Sequence, residues 1–157
     1  MLKYVDTKVT FSEVPDEISL CINISNCPCH CKNCHSSYLA QDIGTELTFN
    51  EVRKLIKKNS GVSCIAIMGG DAEPDKVNTL ASFITNHYNS IKVAWYSGRQ
   101  ELSKEIDLQN FDFIKLGSYK EEFGPLNSRT TNQRFYKVNG KELVDITSKF
   151  WKHETEN

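Results

Sequence analysis

Apolar positions along the chain change their period several times, and each change marks an element. From Glu17 to Ser25, EISLCINIS alternates and predicts a strand. LTFNEVRKLIKKNSG switches to helical spacing: Thr48 and Glu51 form a capping box, Val52, Leu55 and Ile56 share a face, and Gly61 is the stop. SCIAIMGG is a short apolar run ending in glycines, the form of a buried parallel strand. In DKVNTLASFITNHYNS, Val77, Leu80, Ala81, Ile84 and Tyr88 fall on one helical face. IKVAWYSG repeats the strand-then-glycine form, RQELSKEI reads as a short helix, and FDFIKLGSY as a fourth strand running into glycine. The order β-α-β-α-β-α-β predicts a parallel α/β sheet with right-handed crossovers.

After Tyr119 the pattern stops. KEEFGPLNSRTTNQ has no period, and an aperiodic stretch of this length in a small domain is more often a functional loop than filler. RFYKVNGKELVDIT then places Asn139-Gly140 between two alternating runs, which predicts a C-terminal hairpin. SKFWKHETEN reads as a short helix tucking in Phe150 and Trp151 before a polar tail. With 157 residues and no internal repeat or linker, the expectation is a single domain over residues 1–157. A full eight-fold α/β barrel takes roughly 250 residues, so the chain has length for part of a barrel or a small open sheet. In either case ligands belong at the carboxyl ends of the strands, where three glycine- or cysteine-rich loops converge.

Composition narrows the function classes. The 19 basic and 20 acidic side chains nearly cancel, so no broad field attracts nucleic acid or an anionic membrane. The N-terminal MLKYVDTKVTF mixes charges into its apolar residues, unlike a signal peptide, and no apolar run reaches the ~18 residues needed to span a bilayer. The expected setting is cytoplasmic and reducing, which disfavours disulfides.

That matters because Cys27 to His35 reads CPCHCKNCH. Cysteines this close cannot cross-link distant parts of a fold, so a metal or cofactor is the better class. A structural zinc prefers two ligand pairs on separate loops. The remaining cysteines, Cys21 and Cys64, sit inside predicted strands as small hydrophobes, so zinc would have to be wrapped by the one loop with His30, His35 or Cys29. The ferredoxin spacing C-x2-C-x2-C-x3-C is absent. Cys27, Cys31 and Cys34 are spaced C-x3-C-x2-C, and three thiolates on a cubane cluster leave one iron open to a substrate. Gly69-Gly70-Asp71 follows at a strand end, where the missing side chains let backbone approach a small polar ligand.

The cysteine triplet followed by Gly69-Gly70-Asp71 resembles the radical S-adenosylmethionine superfamily, and within it most the small activating proteins of anaerobic ribonucleoside-triphosphate reductase. CPCHCKNCH is similar to that family's cysteine loop, LTFNEVRKLI to its next helix, MGGDAEP to its GGD segment, WYSG to its third strand end and RTTNQRF to its late segment. The resemblance implies a partial, open βα barrel with parallel strands and helices outside. It implies a [4Fe–4S] cluster on Cys27, Cys31 and Cys34, and S-adenosylmethionine received by Gly69, Gly70 and Asp71, with Ser97 along the rim toward ribose and adenine; Cys29, inside the spacer, departs from the family's loop and is expected to be a bystander because the other three alone fit the spacing. It further implies reductive cleavage of S-adenosylmethionine with an electron from a flavodoxin-like donor. The resulting 5′-deoxyadenosyl radical would then generate a glycyl radical on the large reductase subunit. The competing expectations are an activator of a pyruvate formate-lyase-type partner, a small-molecule enzyme such as a 7-carboxy-7-deazaguanine synthase, and a zinc-binding interaction module.

Overall fold

The structure is a computed structural model, and it describes residues 2–27 and 41–151. Its frame is an eight-stranded sheet: β1 (Lys3–Thr10), β2 (Ser19–Ile24), β3 (Thr45–Glu46), β4 (Cys64–Met68), β5 (Lys92–Tyr96), β6 (Phe113–Leu116), β7 (Arg134–Asn139) and β8 (Glu142–Asp145). They lie side by side in the order β3-β1-β2-β4-β5-β6-β7-β8. The central four, β2, β4, β5 and β6, are parallel, as the alternation of apolar runs predicts. The flanks are antiparallel, so the sheet is mixed and not all-parallel as expected. On one side β1 is the strand the hydrophobic pattern conceals: Asp6 and Lys8 interrupt it, and most of its residues are half-buried or exposed.

Two helices form among the described residues, α1 (Phe49–Lys58) and α2 (Pro74–His87). Thr48 caps α1 by accepting from the Glu51 backbone N–H at 3.1 Å. The return half of the expected capping box is missing, because Glu51 Oε1 accepts from the Tyr4 hydroxyl at 2.8 Å and so ties the helix start to β1. Val52, Leu55 and Ile56 are buried on α1, and Val77, Leu80, Ala81 and Ile84 on α2, as their spacing requires. The helix expected over RQELSKEI does not form. Eight residues are marginal for a helix, and Ser103 Oγ accepts from the Glu105 N–H at 3.2 Å, a local bond that competes with helical pairing. Instead a 3₁₀ turn at Leu108–Asn110, capped by Asp107, leads into β6. The hairpin β7–β8 is present with its turn shifted by one residue: Asn139 pairs with Glu142, leaving Gly140-Lys141 as the loop, with Gly140 at φ +65°.

The two faces of the sheet are dressed differently. Alternate residues Leu20, Ile22, Ile65, Ile67, Val93, Trp95 and Ile114 point to the face covered by α1 and α2 and form the larger core. On the opposite face the strands begin with small residues, Cys21, Cys64, Ala66 and Ala94, packed under Val14, Phe113 and Phe135. Further along, toward the carboxyl ends, that same face carries Asn23, Met68, Tyr96 and Lys115, and there it opens into a cleft.

Candidate functional site

The cleft holds about 1030 Å³, at the upper end of the range for ligand pockets. Its wall follows the carboxyl ends of the parallel strands: Cys27 after β2, Gly69 and Asp71 after β4, Gly98 after β5, and Lys115 at the end of β6. Of the proposed cluster ligands, Cys27 is thus on the cleft, while Cys31 and Cys34, together with Cys29, His30 and His35, lie outside the described residues. The described residues hold no group of three metal-ligating side chains.

Gly69 and Gly70 differ in what their missing side chains permit. Both have positive φ, +106° and +93°, a region that costs any residue with a Cβ. Gly69 borders the cleft, its N–H donates to the Tyr96 carbonyl at 3.0 Å, and its carbonyl accepts from the Trp95 indole at 2.7 Å. A Cβ on Gly70 would instead come 2.5 Å from Val77 Cγ2, inside the core beneath α2. Gly70 is therefore the glycine packed into the core, whereas a Cβ on Gly69 would meet the Ile24 carbonyl oxygen at 3.3 Å and it is the backbone of Gly69 that borders the cleft.

Asp71 is buried and held from the neighbouring strand end: Ser97 Oγ donates to Oδ1 at 2.5 Å and the Gly98 N–H to Oδ2 at 2.9 Å. Ser97 is fully buried and also accepts from the Arg99 N–H at 3.1 Å, so it orients Asp71 while Gly98 supplies the rim. Opposite, Lys115 is 8% exposed, with Nζ donating to the Gly117 carbonyl at 3.0 Å and lying 5.7 Å from the Tyr96 ring centroid. A lysine inside the apolar run Phe113–Leu116 is the mark this group leaves in the sequence. The Tyr96 hydroxyl donates to the Glu13 carbonyl, and burial, reinforced by the Glu13 carboxylate, holds its pKa well above the ordinary tyrosine value.

The late segment divides its roles. Thr131 is buried and its Oγ1 accepts from the Gln133 N–H at 3.1 Å. Asn132 Nδ2 donates to the Ser118 carbonyl at 2.9 Å, and Arg134 pairs with Asp145 at 3.7 Å on the surface. Gln133 alone of the four lines the cleft. The strand cysteines are inert at neutral pH: burial pushes the Cys21 thiol up to about 11 and the Cys64 thiol up to about 12.

Among the described residues no helix is long and apolar enough to cross a membrane. In comparison with known proteins, the chain matches no family model, no curated protein and no solved structure.

Proposed function

We propose that this chain is a radical S-adenosylmethionine activating enzyme that generates the glycyl radical of an anaerobic ribonucleoside-triphosphate reductase, working in a cytoplasmic, reducing setting. The observation that carries the reading is that Cys27, the first of the C-x3-C-x2-C triplet, shares one cleft with Gly69 and Asp71 from the next parallel strand. In this reading β2, β4, β5 and β6 are staves of a partial, open βα barrel, α1 and α2 are its outer layer, and the cleft is its interior.

The residues suit the group they would hold. Cys27 would ligate a [4Fe–4S] cluster together with Cys31 and Cys34, leaving one iron for the methionine end of S-adenosylmethionine. When bound, the cluster supplies the electron, received from a flavodoxin-like donor, that cleaves the sulfonium carbon–sulfur bond. Asp71, fixed by Ser97 and Gly98, is oriented to accept from an ammonium group without first reorganising. Gly69 takes without strain the positive φ that brings its backbone to the border of the ligand space. The apolar Met68, Leu126 and Phe150 on the cleft wall limit water near the reaction, and a large polypeptide substrate would complete the seal that an open sheet leaves. The test is anaerobic reconstitution with iron and sulfide: about four irons per chain and dithionite-dependent formation of 5′-deoxyadenosine support the reading. A colourless protein carrying one zinc would replace it with the interaction module.

A further inference from the structure

The helical layer, on the sheet face opposite the cleft, carries a surface that the proposed function does not use. Phe49 opens α1 and is 43% exposed, yet its ring lies flat on that of Phe83 from α2, with centroids 4.3 Å apart and planes within 2° of parallel. Arg53 places its guanidinium carbon 4.9 Å from the same Phe83 centroid, and the His87 ring centroid stands 4.5 Å from it. Phe83 itself is buried. The fold has thus fixed an aromatic pad at the seam between the two helices and left its outer member in water.

Charge around the pad is of one sign. α1 carries Arg53, Lys54, Lys57 and Lys58, all exposed, and its one acid, Glu51, is engaged by the Tyr4 hydroxyl. Phe49, Arg53 and Lys57 follow one another at helical spacing and share the stripe that borders α2, which from Lys76 to His87 has no carboxylate to set against them. None of the four bases has an ion pair among the described residues; Arg53 donates to Asn50 Oδ1 at 2.7 Å. Arg53 with Lys57, and Lys54 with Lys58, are like charges one turn apart, an arrangement that costs a helix stability. The helix dipole compensates the two lysines of the last turn, but its effect has faded at Arg53 and Lys54 in the middle. On a chain of net charge −1 this concentration is local and not the trace of a generally basic protein.

Carboxylates from outside would relieve that repulsion, and an apolar side chain set among them would cover Phe49. We infer that the Phe49–Arg53–Lys57 stripe of α1, backed by Phe83 and His87, is a docking surface for an acidic polypeptide segment that carries an apolar residue between its carboxylates. A nucleic acid fits less well. Single strands are held by a succession of stacking rings, whereas this pad offers one, Phe49, with one face already taken by Phe83. The inference does not rest on the proposed function, because the sheet separates this surface from the cleft.

Fluorescence anisotropy of the full chain with a fluorescein-labelled peptide of repeated Glu-Glu-Leu tests it, with repeated Glu-Glu-Ser and oligouridine as the contrasting probes. The leucine peptide is expected to bind at micromolar concentration in low salt and to lose affinity as salt rises. Arg53→Glu combined with Lys57→Glu should weaken it roughly tenfold or more, and Phe49→Ala about threefold. Lys137→Glu combined with Lys141→Glu, which reverses two exposed lysines of the β7–β8 hairpin, should leave affinity within about twofold. Should the reversal on α1 melt the helix, Arg53→Gln with Lys57→Gln removes the charges without adding repulsion and is expected to weaken binding in the same direction. Absence of binding to the unaltered protein, an equal loss in the hairpin variant, or equal affinity for the serine peptide overturns the surface. So does oligouridine that binds more tightly than the leucine peptide and depends on Arg53 and Lys57.

Discussion

Ser97 and Asp71 are joined by a buried 2.5 Å hydrogen bond that locks the carboxyl ends of β4 and β5 into one rim. Hydrogen bonds to a charged group contribute about 1.5–3 kcal/mol, and a buried carboxylate deprived of its donor loses that much. Ser97→Ala should therefore lower unfolding stability by about that amount in urea and weaken S-adenosylmethionine binding by releasing Asp71. Wild-type stability with normal binding would show the bond to be incidental.

Gly70→Ala should destabilise the fold before it affects any ligand. The new Cβ would meet Val77 Cγ2 at 2.5 Å and hold φ near +93°. A loss of more than about 2 kcal/mol is expected from overpacking and backbone strain together, and adding Val77→Ala should recover the overpacking part only. Denaturant midpoints of the two single variants and the double variant give the comparison. Additive losses would mean that the side chains do not collide.

Iron content separates the cysteines. Cys29→Ala should keep about four irons per chain and the ability to cleave S-adenosylmethionine, while Cys27→Ala, Cys31→Ala and Cys34→Ala should each abolish cleavage. An inactive Cys29→Ala beside an active Cys27→Ala would reassign the ligands.

Alkaline pH should destabilise the protein through the strand thiols. Unfolded, Cys21 and Cys64 ionise near the ordinary 9.0; folded, burial keeps them protonated up to about 11 and about 12. Between those values the folded chain binds more protons, so stability is present in full below 9.0 and falls as pH rises through 11 and 12. The Cys21→Ala, Cys64→Ala double variant should show a shallower loss across that window in pH-dependent urea titrations, the remaining slope including Tyr96, whose pKa burial also raises. An unchanged slope would rule the thiols out.

The late segment gives a graded set. Arg134→Ala should change stability by no more than about 0.5 kcal/mol, because its partner Asp145 is exposed and the pair spans 3.7 Å. Asn132→Ala should cost about 1 kcal/mol through the lost bond to the Ser118 carbonyl. Thermal denaturation distinguishes the two, and the reverse order would mean that Arg134 carries the anchoring.

Much of this architecture is legible in the chain because both faces of the central strands are buried. Cys64–Met68 and Lys92–Tyr96 read as apolar runs, and α1 and α2 as amphipathic stripes, for the reason that each has a core to meet. β1 escapes because it lies toward the sheet margin, where Asp6 and Lys8 face water and pairing, not burial, holds the strand. The site is legible to the extent that glycines and an acid at a strand end announce it. Spacing alone does not reveal that Gly70 faces the core, that Ser97 works behind Asp71, or that Lys115 and Gln133 enter the cleft; these follow from strand register.

The aromatic packing of Phe135 against Phe113, Tyr96 and Phe150 has a kinetic consequence. It fills the amino-terminal half of that face, so among the described residues the cleft is a cup closed at that end. A cup imposes sequence on traffic: what lodges deepest enters first and departs last, and a bulky second guest at the lip detains everything below it. Under the proposed function, turnover with a polypeptide partner should then be ordered, with partner dissociation gating the escape of small products.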